Sequence, residues 1–227
     1  MSDDRIPSDA DAMMQVLTES GALVPDGHFV HISRLHLAMW LNKDAFLPHV
    51  DRLEELARRL ARKIPHLGIE IVCAPAMGGL VVSEWVAHEL GVICAFAEHD
   101  PTPPPGDLRG RFMLRRGYDR LVRGKRVLVV DDVVTTGHSI GEVIEAVRAA
   151  GGDVVAGASL ILVEGLEPAT LGLEHFAYLM PFPRPPMWKA SECPLCRQGV
   201  PISTQFGHGA EFVASRRGSP AGTQDAS

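Results

Sequence analysis

The sequence predicts an α/β protein built on a doubly wound parallel sheet, and three stretches predict it. Val127-Leu128-Val129-Val130 is an apolar, mostly β-branched run that ends in Asp131-Asp132, passes through Val133-Val134 and Thr135-Thr136-Gly137-His138-Ser139, and gives way to helical periodicity from Ile140 to Ala150. Ile69 to Ala74, Pro75-Ala76-Met77-Gly78-Gly79 and Leu80 to Leu90 repeat the order of strand, glycine-bearing loop and helix. After Gly151-Gly152, Val154 to Val163 reads as a further buried-type strand. The order β-α-β-α-β with short connections implies right-handed crossovers and parallel strands. Ligands of such sheets sit at the carboxyl ends of the strands, where both loops fall.

Taken from the N-terminus, residues 1–12 are polar and acidic and read as a frayed end. Met13, Met14, Leu17 and Leu23 then recur at helical spacing up to the Gly21 region. Gly27-His28-Phe29-Val30-His31-Ile32-Ser33 reads as a short strand, with His28 and His31 read as surface or internally satisfied histidines rather than ligands. Phe46, Leu47, Val50, Leu53, Leu56, Leu60 and Ile64 form one apolar stripe, predicting an amphipathic helix. Asp44 is placed to cap it, Pro48 to sit in its first turn and Pro65 to end it. Val92 to Ala97 is another strand, followed by the proline-rich loop 100–107 and by Arg109, Arg111, Arg115 and Arg116. The segment 180–188 is proline-rich and extended, and residues 214–227 read as a disordered tail.

Composition limits the functional classes. The 227 residues fit one elaborated domain. A net charge of −6 argues against nucleic acid as the main partner. No apolar run approaches the roughly 20 residues of a membrane helix, so no membrane role is expected. The N-terminus, with Asp3, Asp4, Asp9 and Asp11, lacks the basic-then-apolar order of a secretory leader. Four cysteines over this length do not suggest a disulfide framework. The expectation is a cytoplasmic enzyme acting on small molecules.

The chemistry of the central stretch narrows that further. A helix N-terminus with free backbone N–H groups and nearby hydroxyls cradles phosphate, which assigns a phosphate to Thr135, Thr136, Gly137, His138 and Ser139. Two carboxylates just before it, Asp131 and Asp132, suit the hydroxyls of a sugar bearing that phosphate. A plain buried strand with a helix cap explains the valines and Ser139, but not two consecutive aspartates at a strand end. Gly78 and Gly79 at a second helix start let backbone approach a polyanion. Cys193-Pro194-Leu195-Cys196 is either half a zinc site or a reduced structural pair, with His208 as the candidate further ligand.

The stretch Val127 to Ser139 resembles the phosphoribosyl-pyrophosphate signature of the type I phosphoribosyltransferases. Ser20-Gly21-Ala22-Leu23, Gly27-His28-Phe29, Ser33, His36, Phe96-Ala97-Glu98, Leu114-Arg115-Arg116-Gly117-Tyr118 and Trp188 with Cys193 to Cys196 are similar to bacterial orotate phosphoribosyltransferases, over roughly Leu17 to Pro201. The resemblance implies one domain over residues 13–213, with a core at about 44–165 and a hood from 13–43 and 166–213. It implies transfer of a 5-phosphoribosyl group from phosphoribosyl pyrophosphate to a base, orotate first, with release of pyrophosphate. It also implies Mg2+ near Asp131 and Asp132, an unusual cis peptide in the pyrophosphate loop, and a homodimer in which the arginine loop acts across the two-fold. The donor would then be held by Asp131, Asp132, Val133, Val134 and the Thr135–Ser139 turn. Its pyrophosphate would lie on Ala76, Met77, Gly78 and Gly79, with Lys43, Arg115 and Arg116. The sequence departs from the family at three places. Ser33-Arg34 stands where Ser-Gly is usual, the lysine-rich catalytic loop is replaced by Arg115 and Arg116, and Glu164-Gly165 stands where Asp-Arg often holds the base. The alternatives are transfer to a purine or other base, and a non-catalytic regulator that binds the donor.

Overall fold

In a computed structural model, residues 7–102 and 110–217 are described. The expected proline loop from Pro103 to Asp107, Arg109, and the last ten residues lie outside them. Helix α1, Asp9–Glu19, starts earlier than the apolar spacing predicts. Ser8 caps it by accepting from the Asp11 backbone N–H, while the Asp11 side chain reaches back to the Ser8 backbone, a reciprocal capping box. Residues 9–12 are therefore helical rather than frayed.

Four two-residue strands follow: β1 Leu23–Val24, β2 Phe29–Val30, β3 His36–Leu37 and β4 Trp40–Leu41. The single helix expected from Asp44 to Pro65 is two, α2 Lys43–Phe46 and α3 Val50–Lys63. Pro48 breaks them, because a proline disfavours helical backbone at the residue before it. Asp44 therefore lies inside α2. His49 caps α3 without a side-chain bond, and Val50, at its exposed start, leaves the stripe. Leu53, Leu56, Ala57 and Leu60 are buried as the 3.6-residue period requires. The half-buried pairs Glu54–Arg58 and Glu55–Arg59 form at 2.6 and 2.8 Å.

The rest of the chain alternates as predicted. It runs β5 Ile71–Pro75, α4 Gly78–Leu90, β6 Ile93–His99, β7 Phe112–Met113, α5 Tyr118–Val122, β8 Arg126–Val134, α6 His138–Ala149, β9 Asp153–Val163 and β10 Phe176–Phe182. Beyond it lie β11 Met187–Trp188, α7 Pro194–Arg197 and α8 Gly209–Arg217. Residues 214–217, expected in the tail, belong to α8.

Two compact units result. The first takes the chain to Ser20 and from Lys43 to Arg184; the second takes Gly21 to Asn42 and the chain from Pro185. The first unit is a six-stranded sheet of order β10-β9-β8-β5-β6-β7. All its pairs are parallel except the short antiparallel edge β6–β7. Helices cover the sheet because β5, β8 and β9 are buried along nearly their whole length, as central parallel strands must be. On one side Val127, Val129 and Ile71 join Ile140, Val143, Ile144 and Val147 of α6 in one apolar cluster. Fully burying each such side chain contributes roughly 1.5–3 kcal/mol. Strand order reverses between the central strands β5 and β8, so the loops after both lie side by side at the carboxyl end of the sheet's middle. In the second unit β2, β3 and β11 form a small antiparallel sheet, and β1 pairs with β4. Among the described residues no helix is long and apolar enough to cross a membrane.

Candidate active site

The site is built where β8 ends. Asp131 and Asp132 are the last polar residues of that strand and both are buried. Local backbone supports them: the Asp132 N–H donates to Asp131 Oδ1 at 2.9 Å, and the Val133 N–H to Asp132 Oδ1 at 2.7 Å. Lys43, at the start of α2, places Nζ 2.9 Å from Asp132 Oδ2. Apart from that ion pair Asp132 Oδ2 has no hydrogen-bond partner among the described residues. Burial and then the neighbouring Asp132 charge push the Asp131 carboxyl well above the usual carboxylate range, with Lys43 only partly opposing them. Burial works to lower the Lys43 pKa, but attraction from Asp132, with Asp131 and Asp44 behind it, outweighs that and raises it. The site therefore concentrates negative charge that one lysine balances incompletely. Hydroxyl hydrogens or a divalent cation would complete it.

The loop after β5 closes against this pair. Its Ala76–Met77 peptide is cis, as the resemblance implies, and the Met77 side chain is exposed. Gly78 and Gly79 have a role the sequence did not disclose. A Cβ at Gly78 would overlap Asp132 Oδ2 and lie 2.6 Å from Lys43 Nζ; one at Gly79 would lie 2.8 Å from Asp131 Oδ1. These glycines are required because the chain's own carboxylates approach the start of α4, whether or not a ligand does.

The turn from β8 into α6 forms as predicted. Gly137 caps α6 with φ 77°, a conformation that favours glycine. Its carbonyl accepts from the Gly141 N–H at 2.8 Å. Asp131, Val133, Val134, Thr135, Thr136, Gly137, His138 and Ser139 surround a cavity of about 30 Å³ at the helix N-terminus. Asp131, Asp132, Lys43, Gly78, Gly79 and the turn are thus assembled.

Arg115 and Arg116 are engaged by an acidic side chain of the core sheet. Their guanidinium groups pair with Glu98 in β6, at 3.7 and 3.1 Å. Sequence reasoning missed Arg184. Its Nε donates to the Glu164 carbonyl at 2.9 Å and its Nη2 to the Thr135 carbonyl at 3.1 Å, bridging the carboxyl ends of β9 and β8. The only available signal was its place in the run Pro183-Arg184-Pro185. Cys193 and Cys196 meet His28 and His36, not His208, which pairs with Glu211 at 2.8 Å. His28 is buried and internally hydrogen-bonded, the second of its two expected states, and His36 is buried as well. Strand pairing of β2 with β3 brings them together, a contact that their separation in sequence conceals.

An acidic pair at a parallel strand's end, a small cavity in the turn after it and a glycine loop beside it fit an enzyme class that handles sugar phosphates. Residues 44–170 match the phosphoribosyl transferase domain, and the chain belongs to that family. The orotate phosphoribosyltransferase of Pelotomaculum thermopropionicum is 38% identical over 191 residues, covering 84% of this chain and 94% of that relative. The orotate phosphoribosyltransferase of Aeropyrum pernix shares the fold, with a TM-score of 0.58 and 23% identity over 75% of this chain and 93% of its own. An adenine phosphoribosyltransferase from Thermoanaerobacter pseudethanolicus does so too, with a TM-score of 0.52 and 20% identity over 63% of this chain and 88% of its own. The fold is thus common to enzymes of different bases.

Proposed function

We propose that this chain transfers the 5-phosphoribosyl group of phosphoribosyl pyrophosphate to orotate and releases pyrophosphate, as a cytoplasmic homodimer. The observation that carries the donor half is the juxtaposition of Asp131 and Asp132 with Lys43 and the Gly78–Gly79 backbone, directly before the Thr135–Ser139 turn. The turn's backbone N–H groups and hydroxyls receive the 5-phosphate. Asp131 and Asp132 accept from the ribose hydroxyls, and their charge favours the oxocarbenium-like ring as the bond to pyrophosphate breaks. Lys43 and the N-terminus of α4 take up negative charge on the leaving pyrophosphate.

A magnesium ion fits here: Asp132 Oδ2 is a buried carboxylate oxygen with one cationic neighbour and no hydrogen bond. Asp131 and Asp132 would hold it, directly or through water, and when bound it supplies charge neutralisation on the donor. Arg115 and Arg116 engage Glu98 in the free chain. In the reaction they are proposed to exchange that partner for pyrophosphate, at the active site of the other subunit.

The acceptor half rests on the relatives named orotate phosphoribosyltransferase and on Arg184. Its guanidinium is fixed at the ends of β8 and β9, with two of its five N–H donors used on carbonyls. The remaining donors suit a planar carboxylate such as that of orotate, and Arg184 would then replace the arginine missing at Glu164-Gly165. Pyrophosphate release should be measured with the donor, Mg2+ and a panel of bases. Release with orotate is expected; release only with a purine would refute the substrate, and tight donor binding without release for any base would refute the enzyme.

A further inference from the structure

Outside the phosphoribosyl site, the second unit gathers four buried or half-buried metal-binding side chains. His28 lies just before β2, His36 in β3, Cys193 caps α7 and Cys196 lies in it. Strand pairing explains the histidines. Val30 stands opposite His36 and the Gly27 N–H donates to the Ala38 carbonyl, so His28 and His36 are diagonal neighbours on the two strands. On the other side of β3, His36 is opposite Trp188, and the chain runs from there into the Cys193–Cys196 turn.

The donor atoms converge. His28 Nε2 is 2.7 Å from His36 Nδ1, 3.7 Å from Cys193 Sγ and 3.8 Å from Cys196 Sγ, while Cys196 Sγ is 3.4 Å from His36 Nδ1. The ligand atoms all lie within 4.8 Å of one another. Bonds of about 2.05 Å to nitrogen and about 2.3 Å to sulfur at tetrahedral angles set ligand edges of roughly 3.3 to 3.8 Å. Three of the four distances fall in that range, and the two histidine nitrogens need to separate slightly. The His28 tautomer is also set for a metal. Its Nδ1 sits 2.8 Å from the Val200 carbonyl, which can only accept, so Nδ1 carries the hydrogen and the Nε2 lone pair faces the cluster. Without a cation, His36 Nδ1 donates to that lone pair at 2.7 Å, and the two sulfurs lie 3.4 to 3.8 Å from these nitrogens. His36 Nε2 is buried with no hydrogen-bond partner among the described residues.

We propose that His28 Nε2, His36 Nδ1, Cys193 Sγ and Cys196 Sγ bind one structural Zn2+ in a closed tetrahedral site. An S2N2 donor set at this spacing suits zinc. Four protein ligands leave no open position for a substrate, which makes the ion a staple and not a catalyst. It joins two segments, Gly21 to Asn42 and the chain from Pro185, whose small sheet has only two-residue strands. Units with so little core commonly depend on such a tie.

Metal analysis of the purified, reduced, full-length protein should find one zinc per chain. Cys193→Ser with Cys196→Ser should lose it, and His208→Ala should retain it. Should the double variant fail to fold, the wild type decides. Replacing zinc by Co2+ should give the visible d–d bands of a tetrahedral ion and thiolate-to-cobalt charge transfer in the near ultraviolet, and chelation should lower Tm reversibly. Wild-type protein that takes up neither Zn2+ nor Co2+ under reducing conditions overturns the proposal. So does a folded double variant that keeps its zinc.

Discussion

The two clusters of buried ionisable side chains behave differently. The Asp131–Asp132 pair is local: adjacent residues on one strand, supported by N–H groups one residue on, with Lys43 as counter-ion. The His28–His36–Cys193–Cys196 cluster is non-local, with partners up to 168 residues apart, and has no charged side chain among its members. On the assignments proposed above, the first holds negative charge for a ligand that comes and goes, and the second offers four lone pairs to an ion that stays. Buried polar groups thus have different functions depending on whether the chain itself supplies part of their balance.

Variants can break or sharpen that contrast. The largest effect is expected where charge and backbone meet. Asp131→Asn with Asp132→Asn should abolish calorimetric binding of the donor and lower pyrophosphate release by about 100-fold or more; unchanged binding would sink the donor-site assignment. Gly78→Ala should reach a similar loss, because its Cβ must displace the Asp132 carboxylate or Lys43. Arg184→Ala is next. Loss of a charged hydrogen bond of about 1.5–3 kcal/mol predicts a KM for orotate roughly 10- to 100-fold higher, with the donor KM little changed. Equal rises in both would assign Arg184 to the architecture of the turn instead.

Stability should respond in the opposite sense at the acidic pair. The Asp131 pKa is raised in the fold, so ionising it opposes folding. Its contribution is most favourable at pH below the ordinary aspartate range, near 4, and is lost as pH rises through the raised value. Asp131→Asn, which can still accept the Asp132 N–H, should therefore raise Tm at neutral pH and give less or no gain at pH 4. About 1 kcal/mol corresponds to a rise of roughly 2–4 °C in a chain of this size. A fall in Tm at neutral pH would contradict the unfavourable burial. The smallest effect belongs to the outer face of α3: Glu55→Ala, which removes the partner of both Arg58 and Arg59, should cost about 0.5–1 kcal/mol in a denaturant melt.

Legibility followed the range of the interactions. The β8–turn–α6 unit was readable because a strand's burial, a glycine-capped turn and a helix N-terminus are all properties of consecutive residues. The start of α1 was missed although Ser8 and Asp11 spell its capping box, since the apolar spacing begins only at Met13. The break at Pro48 was misread as a tolerated first-turn proline, because Leu47's restriction weighs against a stripe that runs through it without a gap. Glu98's hold on Arg115 and Arg116 was invisible, because it depends on β6 and the segment following β7 lying side by side.

By itself the sequence determined the α/β class, the succession of core strands and helices along the chain, the acidic pair with the turn that follows it, and the family. Each is encoded in short windows whose periodicity and turn chemistry act locally. Only the tertiary structure decided that Gly78 and Gly79 yield to Asp131 and Asp132, that Arg184 bridges two strand ends, and that two histidines near the N-terminus face two cysteines near the C-terminus. Those contacts join residues dozens to more than a hundred positions apart, and chain folding, not local preference, sets their distances.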